Sequence, residues 1–281
     1  MQQKDSKAYG IAIITVIYAI ATLIGIFTFK KASATMPEVI SLLLADVAAT
    51  IFVWLTGLIY KNVSVYDPYW SVAPPLMFTT WAIVKECFTL PVILLLIAVW
   101  YWGIRLTLNW AYTFKGLGHE DWRYSRYRGA RPVLFHITNF FGFNMMPTLL
   151  VFACMLPGFG LFGAEGTGPL TWLGFTICLS AVTIQLIADT QIHRFRESHP
   201  RQFCNEGLWK HGRHPNYFGE ISMWWGVWVM YASLSGIDLL ILAPIAMTCL
   251  FLFISIPMME KRQVENKPGY AEYRKNTRIL I

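Results

Sequence analysis

Charge is scarce in this chain. Asp, Glu, Lys and Arg make up 14% of its 281 residues, where an ordinary soluble domain carries roughly 25%. With hydrophobic residues at 56%, that shortage excludes a typical water-soluble domain. Paired cysteines are also missing. The five present (Cys87, Cys154, Cys178, Cys204 and Cys249) form no CxxC and no metal-ligand spacing. Four lie in or beside apolar runs, where free cysteine behaves as a small hydrophobe. Neither a disulfide framework nor a zinc site is expected. The chain has no GxSxG and no P-loop, so the serine-hydrolase elbow and the phosphate cradle of the P-loop ATPases and GTPases are both absent. It does contain a GxGxxG, Gly158–Gly163. That pattern binds a dinucleotide only between a strand and a helix of a βαβ unit. Here it follows Pro157 at the end of an apolar run, with no acidic residue about 20 positions on, so helix packing or a loop is the better reading.

What the chain has instead is long apolar runs: Tyr9–Phe29, Val39–Tyr60, Pro91–Phe114, Phe140–Gly163, Pro169–Ala188 and Ile237–Met258. Each reaches or approaches the roughly 20 residues that cross about 30 Å of hydrocarbon. Two shorter runs, Trp70–Val84 and Ile221–Ser233, either span with tilt or are partly re-entrant. The pattern predicts an all-α, polytopic membrane bundle of seven or eight transmembrane helices. Lys30 and Lys31 follow the first run without a small-residue cleavage site, so it reads as a retained helix and not as a signal peptide.

The net charge of +7 is concentrated. Residues 115–131 carry Lys115, Arg123, Arg126, Arg128 and Arg131. Residues 190–213 carry Arg194, Arg196, Arg201, Lys210 and Arg213. The tail after Met259 carries six more Lys and Arg, whereas the connections between these segments hold little beyond Glu165 and Asp238. If one span separates each connection from the next, the three basic segments share a face. The bias of Lys and Arg makes that face cytoplasmic. Two readings stand for it: segments that set topology and touch anionic headgroups, or a surface for a phosphorylated cofactor, since guanidinium forks match phosphate. The Asn, His, Tyr, Asp and Glu among the arginines favour the second.

Ionisable residues also enter the apolar segments themselves. Arg105 sits in WYWGIRLTLNW, Asp189 ends QLIAD, and Glu220 opens the helix after NYFG. A charge at such depth costs several kcal/mol and faces a partner or a water-filled cavity. The densest stretch is GLWKHGRHPNYFGEISMWWG (207–226). There Lys210, His211, Arg213, His214, Asn216 and Glu220 fall just before an apolar, Trp-rich run. Trp209, Trp224, Trp225 and Trp228 read as interfacial and packing residues. No carboxylate-rich shell accompanies the histidines, so no metal is expected.

ADTQIHRFR (188–196), GLWKHGRHPNYFGE (207–220), PMMEKR (257–262) and YAEYRKNT (270–277) resemble the C-terminal half of the steroid 5-alpha-reductase family, most closely its bacterial branch. YDPYWSVAP (66–74), WGIRLTLNW (102–110) and HEDWRYSRYR (119–128) extend the resemblance to roughly residues 60–281. Sterol C14 reductases share the general plan. The RHPxYxG core also resembles the isoprenylcysteine carboxyl methyltransferases, which use S-adenosylmethionine. Asn216 with Gly219 and Glu220, and Asp189 with Arg196 seven residues on, are similar to the reductases.

The resemblance implies one integral membrane domain over 1–281. Its N-terminal helices would occupy 1–60, a reductase-like core 61–281, and a cofactor-binding half about residues 170–281. It implies a cytoplasm-facing NADPH pocket formed by Arg105, Asn109, Gln185, Asp189, Arg196, Arg213, His214, Asn216, Glu220, Tyr270 and Tyr273, with the tail folding over the cofactor as a lid. The implied reaction reduces a carbon–carbon double bond conjugated to a carbonyl in a lipid-soluble, 3-oxo-Δ4-steroid-like enone that enters from the bilayer. The family's Gln-Glu pair is missing from YDPYWSVAP, and Trp102 stands three before Arg105 where relatives carry Tyr. Tyr101, Tyr69, Asp67 and the Trp102 indole are the substitute donors to the substrate carbonyl. The expected location is a bacterial inner membrane, with membrane lipids as surroundings and neither nucleic acid nor an obligatory protein partner. A lipid or thiol methyltransferase, and a lipid binder without catalysis, remain as alternatives.

Overall fold

The structure, a computed structural model, describes residues 6–130 and 132–281; Arg131, counted above in the first basic segment, lies outside them. Among the described residues there is no strand, and the chain forms twelve α-helices. These are α1 (Lys7–Ala32), α2 (Glu38–Tyr60), α3 (Tyr69–Val84), α4 (Leu90–Thr113), α5 (Trp122–Ala130), α6 (Pro132–Ile137), α7 (Met146–Phe159), α8 (Pro169–Ser198), α9 (Pro215–Ser235), α10 (Leu242–Leu250), α11 (Ile256–Asn266) and α12 (Tyr270–Asn276). A π-helical stretch, Thr138–Met145, joins α6 to α7, and another, Phe251–Ser255, joins α10 to α11.

Six helical stretches are long and apolar enough to cross a membrane: Lys7–Ala32, Glu38–Tyr60, Leu90–Thr113, Val133–Phe159, Pro169–Ser198 and Leu239–Asn266. They match the six long apolar runs of the sequence. The two shorter runs fall short by length and composition. α3 has 16 residues with Pro74 and Pro75 inside it. α9 is long enough at 21 residues, but Asn216, Glu220 and three tryptophans lower its hydropathy. Helix alone is expected here, because in hydrocarbon every backbone N–H and C=O must be satisfied within the segment.

The chain divides into two compact units, Met1–Leu76 with Leu106–Phe152, and Met77–Arg105 with Ala153–Ile281. In the first, α1 packs on α2 around Ile14, Ile17, Tyr18, Val53, Val65, Tyr66 and Tyr69. The connection after α2 is tied down by polar groups. The Asn62 side chain accepts from Ser64 N at 2.8 Å and donates to Leu117 O at 2.8 Å and His119 O at 3.1 Å. Glu120 accepts from Val63 N and from Arg128, and the Tyr124 hydroxyl donates to Asp67.

The second unit is organised by α8 against α9. Lipid tails are as apolar as leucine, so helices in a bilayer associate through close packing and interhelical hydrogen bonds. Glycines allow that approach here. A Cβ on Gly226 would lie 2.5 Å from Cys178 Sγ and 2.8 Å from Gly174 O, and one on Gly219 would lie 2.6 Å from Ala181 O. The GxGxxG stretch is part of the same story. A Cβ on Gly158 would lie 2.5 Å from the Phe78 ring and one on Gly160 2.4 Å from the Tyr231 ring. Those glycines pack against aromatic rings.

Overpacking a tight contact costs typically about 1–3 kcal/mol. Gly226→Val therefore lowers the midpoint of thermal unfolding in detergent, while Gly166→Ala, where a Cβ meets nothing within 4 Å, leaves it unchanged. Equal midpoints for the two variants would show that α8 and α9 are not this closely apposed.

Candidate functional site

Within the second unit, α8, α9 and the part of α4 up to Arg105 bring their ionisable and amide side chains to one place. Helical spacing explains why each contributes a row: Trp102 and Arg105 are three apart on α4, Gln185 and Asp189 four apart on α8, and Asn216, Glu220 and Trp224 four apart on α9. Residues three or four apart share one helix face. Arg105 Nη1 donates to Gln185 Oε1 at 2.7 Å, and its Nη2 donates to Asp189 Oδ2. Asn216 Nδ2 donates to the other Asp189 oxygen at 3.4 Å. Gln185 Nε2 passes the network on to Glu220 Oε2 at 3.0 Å.

Glu220 is the hub at the other end. Its carboxylate accepts from the Trp102 indole at 3.0 Å, from the Trp224 indole at 3.1 Å and from Gln185. The Trp102 and Trp224 rings meet edge to face, their centroids 5.1 Å apart. Arg105, Gln185, Asp189 and Glu220 are all buried, at 7%, 0%, 6% and 4% exposure. A buried acid so deep is tolerable because its lone pairs are filled. One donor of this network is left over: among the described residues the Nε of Arg105, sealed from solvent, has no partner. Buried donors are rarely orphaned, so the network is complete except at one atom that asks for an acceptor.

A second polar cluster closes the chain's end. Arg213 Nε donates to Glu260 Oε1 at 2.6 Å, its Nη1 donates to Arg274 O at 2.6 Å and to Thr277 O, and Arg274 Nε reaches Glu260 Oε2 at 2.8 Å. His214 Nε2 stands 3.2 Å from the same carboxylate. Backbone bonds from Arg213 N to Arg278 O and from His214 N to Ile279 O complete the clamp. Two of the three basic segments, 190–213 and the tail, thus meet, and one glutamate pairs with an arginine from each, Arg213 and Arg274.

Beside the clamp lies a third group. Lys267 is half-buried, and its ammonium is pushed down to about 8, first by burial and then by the charges of Arg196 and Arg262. Phe203, Tyr270 and Tyr273 form an aromatic cluster there, with Phe203 stacked 4.9 Å from Tyr273 and edge to face with Tyr270 at 5.6 Å. The Tyr273 hydroxyl donates to Trp209 O, and burial pushes that phenol up to about 12.

The structure therefore brings Arg105, Gln185, Asp189, Asn216 and Glu220 into one network. It sets Arg213 and His214 in the tail clamp, and Arg196 with Tyr270 and Tyr273 around Lys267. Trp102, read as a candidate donor to substrate, has its indole engaged by Glu220. Tyr101 is half-exposed, with its hydroxyl 3.2 Å from Thr183 Oγ1. Asp67 and Asn109 belong to the first unit; burial raises the Asp67 carboxyl to about 6, against the pull of Arg123 and the Tyr124 hydroxyl. Sequence reasoning missed Glu260 and Lys267 and took Trp224 for packing. The signals were present: Trp224 continues the i, i+4 row of Asn216 and Glu220, and Glu260 is the acid inside PMMEKR.

Buried charge on three neighbouring helices, joined hand to hand inside an apolar bundle, defines an integral membrane protein with an internal polar site. Residues 53–277 match the family described as protein of unknown function (DUF1295), and the chain belongs to that family. It is similar to an uncharacterized protein of Schizosaccharomyces pombe, 24% identical over 96% of this chain and 88% of the relative. No solved structure matches the chain.

Removing one partner of a buried ion pair costs about 3–5 kcal/mol, whereas replacing the pair with apolar residues is often neutral. Asp189→Ala should thus destabilise the protein strongly in detergent, and adding Arg105→Met to it should recover most of the loss; additive losses would contradict the pairing. For Lys267 the sign follows from linkage. Its folded value, about 8, lies below the ordinary 10.5, so between those values the unfolded chain binds more protons and stability rises with pH. Lys267→Met should flatten that rise, and an unchanged slope between the two values would count against a cation-crowded Lys267.

Proposed function

We propose that this protein is a membrane-embedded, NADPH-dependent reductase of a carbon–carbon double bond conjugated to a carbonyl in a lipid-soluble substrate, related to the steroid 5-alpha-reductases. The observation that carries the reading is the Arg105–Gln185–Asp189–Asn216–Glu220 network with its one orphaned donor. These are the positions at which the reductase resemblance implies cofactor contacts, and an orphaned guanidinium Nε fits an amide or ribose oxygen of a nicotinamide nucleotide. The crowding of Arg196, Arg262 and Lys267 fits the cofactor's phosphates, since cations held close together gain most from a shared anion. In this reading α3 and α9 also lie in the membrane, giving eight spans, and the basic segments face the cytoplasm of a bacterial inner membrane.

When bound, NADPH supplies the hydride. The chain's own residues do the rest. Asp189 and Gln185 hold the Arg105 fork in one orientation, so Arg105 and Asn216 present fixed donors without reorganisation. Glu220, locked by two indoles, fixes Gln185 in turn. Arg196 and Lys267 receive phosphate, and Phe203, Tyr270 and Tyr273 offer stacking faces. The Arg213–Glu260–Arg274 clamp holds the tail as the lid. Tyr101, whose hydroxyl meets Thr183 among the described residues, is the donor to the developing oxyanion of the substrate.

A ligand that binds only the folded state stabilises it by roughly 2.7 kcal/mol at a hundredfold excess over its dissociation constant. Thermal shift in detergent with NADPH, NADH and S-adenosylmethionine side by side should give the largest rise with NADPH. Lys267→Met and Arg196→Ala should narrow the gap between NADPH and NADH. A rise with S-adenosylmethionine alone would assign the methyltransferase reading, and no rise with any of them would leave a lipid binder.

A further inference from the structure

The turn between α11 and α12 has a chemical property that phosphate binding alone does not use. α11 ends at Asn266, and Lys267 follows as an extended cap whose backbone N–H donates to Gln263 O at 2.9 Å. Pro268 then fixes its own φ, and Gly269 takes a φ of 78°, in the left-handed region that glycine enters freely. Tyr270 N donates back to Lys267 O at 3.3 Å. Lys267 is therefore carried on a short, tied turn just beyond the apolar Leu239–Asn266 stretch.

Its neighbours are cations. Arg196 of α8 and Arg262 of α11 face it, and the Cys204 thiol is the remaining titratable group beside it. Among the described residues no carboxylate pairs with Lys267, and no hydrogen bond or ion pair holds the Arg196 fork, whose facing acid is Asp189, two turns back on its own helix. Arg196 is exposed and Lys267 half-buried, so the cluster is open to water. Burial and the two guanidinium charges hold the Lys267 ammonium down at about 8, against the ordinary 10.5. At a pH of about 8, about half of Lys267 carries a free electron pair, where an ordinary lysine has ~0.3%. A lysine made neutral by desolvation and cationic neighbours is a nucleophile. The arginines beside it stay protonated and unreactive.

We propose that Lys267 is a site of acylation by acyl phosphates, with the Arg196 fork docking the phosphoryl group. The Lys267 amine attacks the acyl carbon. A C–N bond forms, the C–O bond to phosphate breaks, inorganic phosphate leaves with that electron pair, and the surplus proton on nitrogen passes to water. Guanidinium forks match phosphate oxygens, and here they also face the charge that develops on the leaving group. A neutral acyl donor gains nothing from them, which is what singles out an acyl phosphate. The product is a neutral amide, so the reaction removes one cation from the cluster. This inference shares residues with the reductase reading and does not rest on it, because it needs neither a nicotinamide nucleotide nor turnover.

The full chain in detergent is incubated with subsaturating acetyl phosphate, and the rate of acetylation at each lysine is read by peptide mass spectrometry. Near neutral pH Lys267 should react at least about tenfold faster than Lys261 and Lys275, which are exposed nearby, a margin well inside the difference in free amine. Its rate should level off above about 8, once the amine is fully free. Inorganic phosphate should compete. Arg196→Gln should reduce the advantage of Lys267 with acetyl phosphate more than with N-hydroxysuccinimidyl acetate, a neutral donor that reads nucleophilicity alone. Equal rates at the three lysines, a rate at Lys267 still climbing through 10.5, no competition by phosphate, or the same effect of Arg196→Gln with both donors would each overturn the proposal.

Discussion

The second unit depends on keeping charge satisfied where water cannot reach it. Glu220 and Asp189 sit on two facing helices, and Arg105 enters from a third. Isolated, any one of them would destabilise a membrane bundle by several kcal/mol. Joined through Gln185, they cost little and impose a rotation on each helix, because only one azimuth of α4, α8 and α9 lets all the donors meet their acceptors. The two indoles matter for the same reason. An indole N–H is a donor on a large apolar body, so Trp102 and Trp224 fill the lone pairs of Glu220 and bury apolar area at once.

That azimuth is possible only because the backbones come close. The Gly174, Gly219 and Gly226 contacts put α8 and α9 near enough for Gln185 to reach Glu220 at 3.0 Å. Small residues at the helix contact and polar residues beside it are two halves of one arrangement. The glycines allow the approach, and the hydrogen bonds select its register. Where no polar group is at stake, as at Gly158 and Gly160, the same close approach is spent on aromatic packing.

The tail shows how a basic surface is made compact. Arg213 and Arg274 would repel one another, yet Glu260 pairs with both and stands beside His214, and two carbonyls of the tail accept from Arg213 Nη1. Lys267 stands close to Arg196 and Arg262, whose charges help push its ammonium down, and the acid that faces Arg196 is Asp189. The first group is built around a shared carboxylate and the second around a crowded ammonium, and composition alone treats them alike.

Much of this was legible in the chain itself. The bilayer demands roughly 20 apolar residues per span, so the six long runs reappear as six long helices, with ends displaced by only a few residues except where helix continues through polar sequence, as in α8 to Ser198. The buried members of the site were legible too, because Arg105, Asp189 and Glu220 are charges in apolar surroundings and such charges need a reason. What the sequence could not decide was who meets whom. Arg105 and Asp189 are 84 positions apart and Trp102 and Glu220 118, and no spacing rule links residues on different helices. Trp102 and Trp224 looked like packing or substrate contacts until the fold turned their N–H groups onto Glu220. Arg213 reads as a phosphate ligand in the sequence, and only the fold shows that it holds Glu260 and the tail carbonyls. Hydrophobic length sets how many helices form and roughly where they end; which polar groups are spent on the protein and which are left for a ligand is settled only when close packing fixes each helix's rotation.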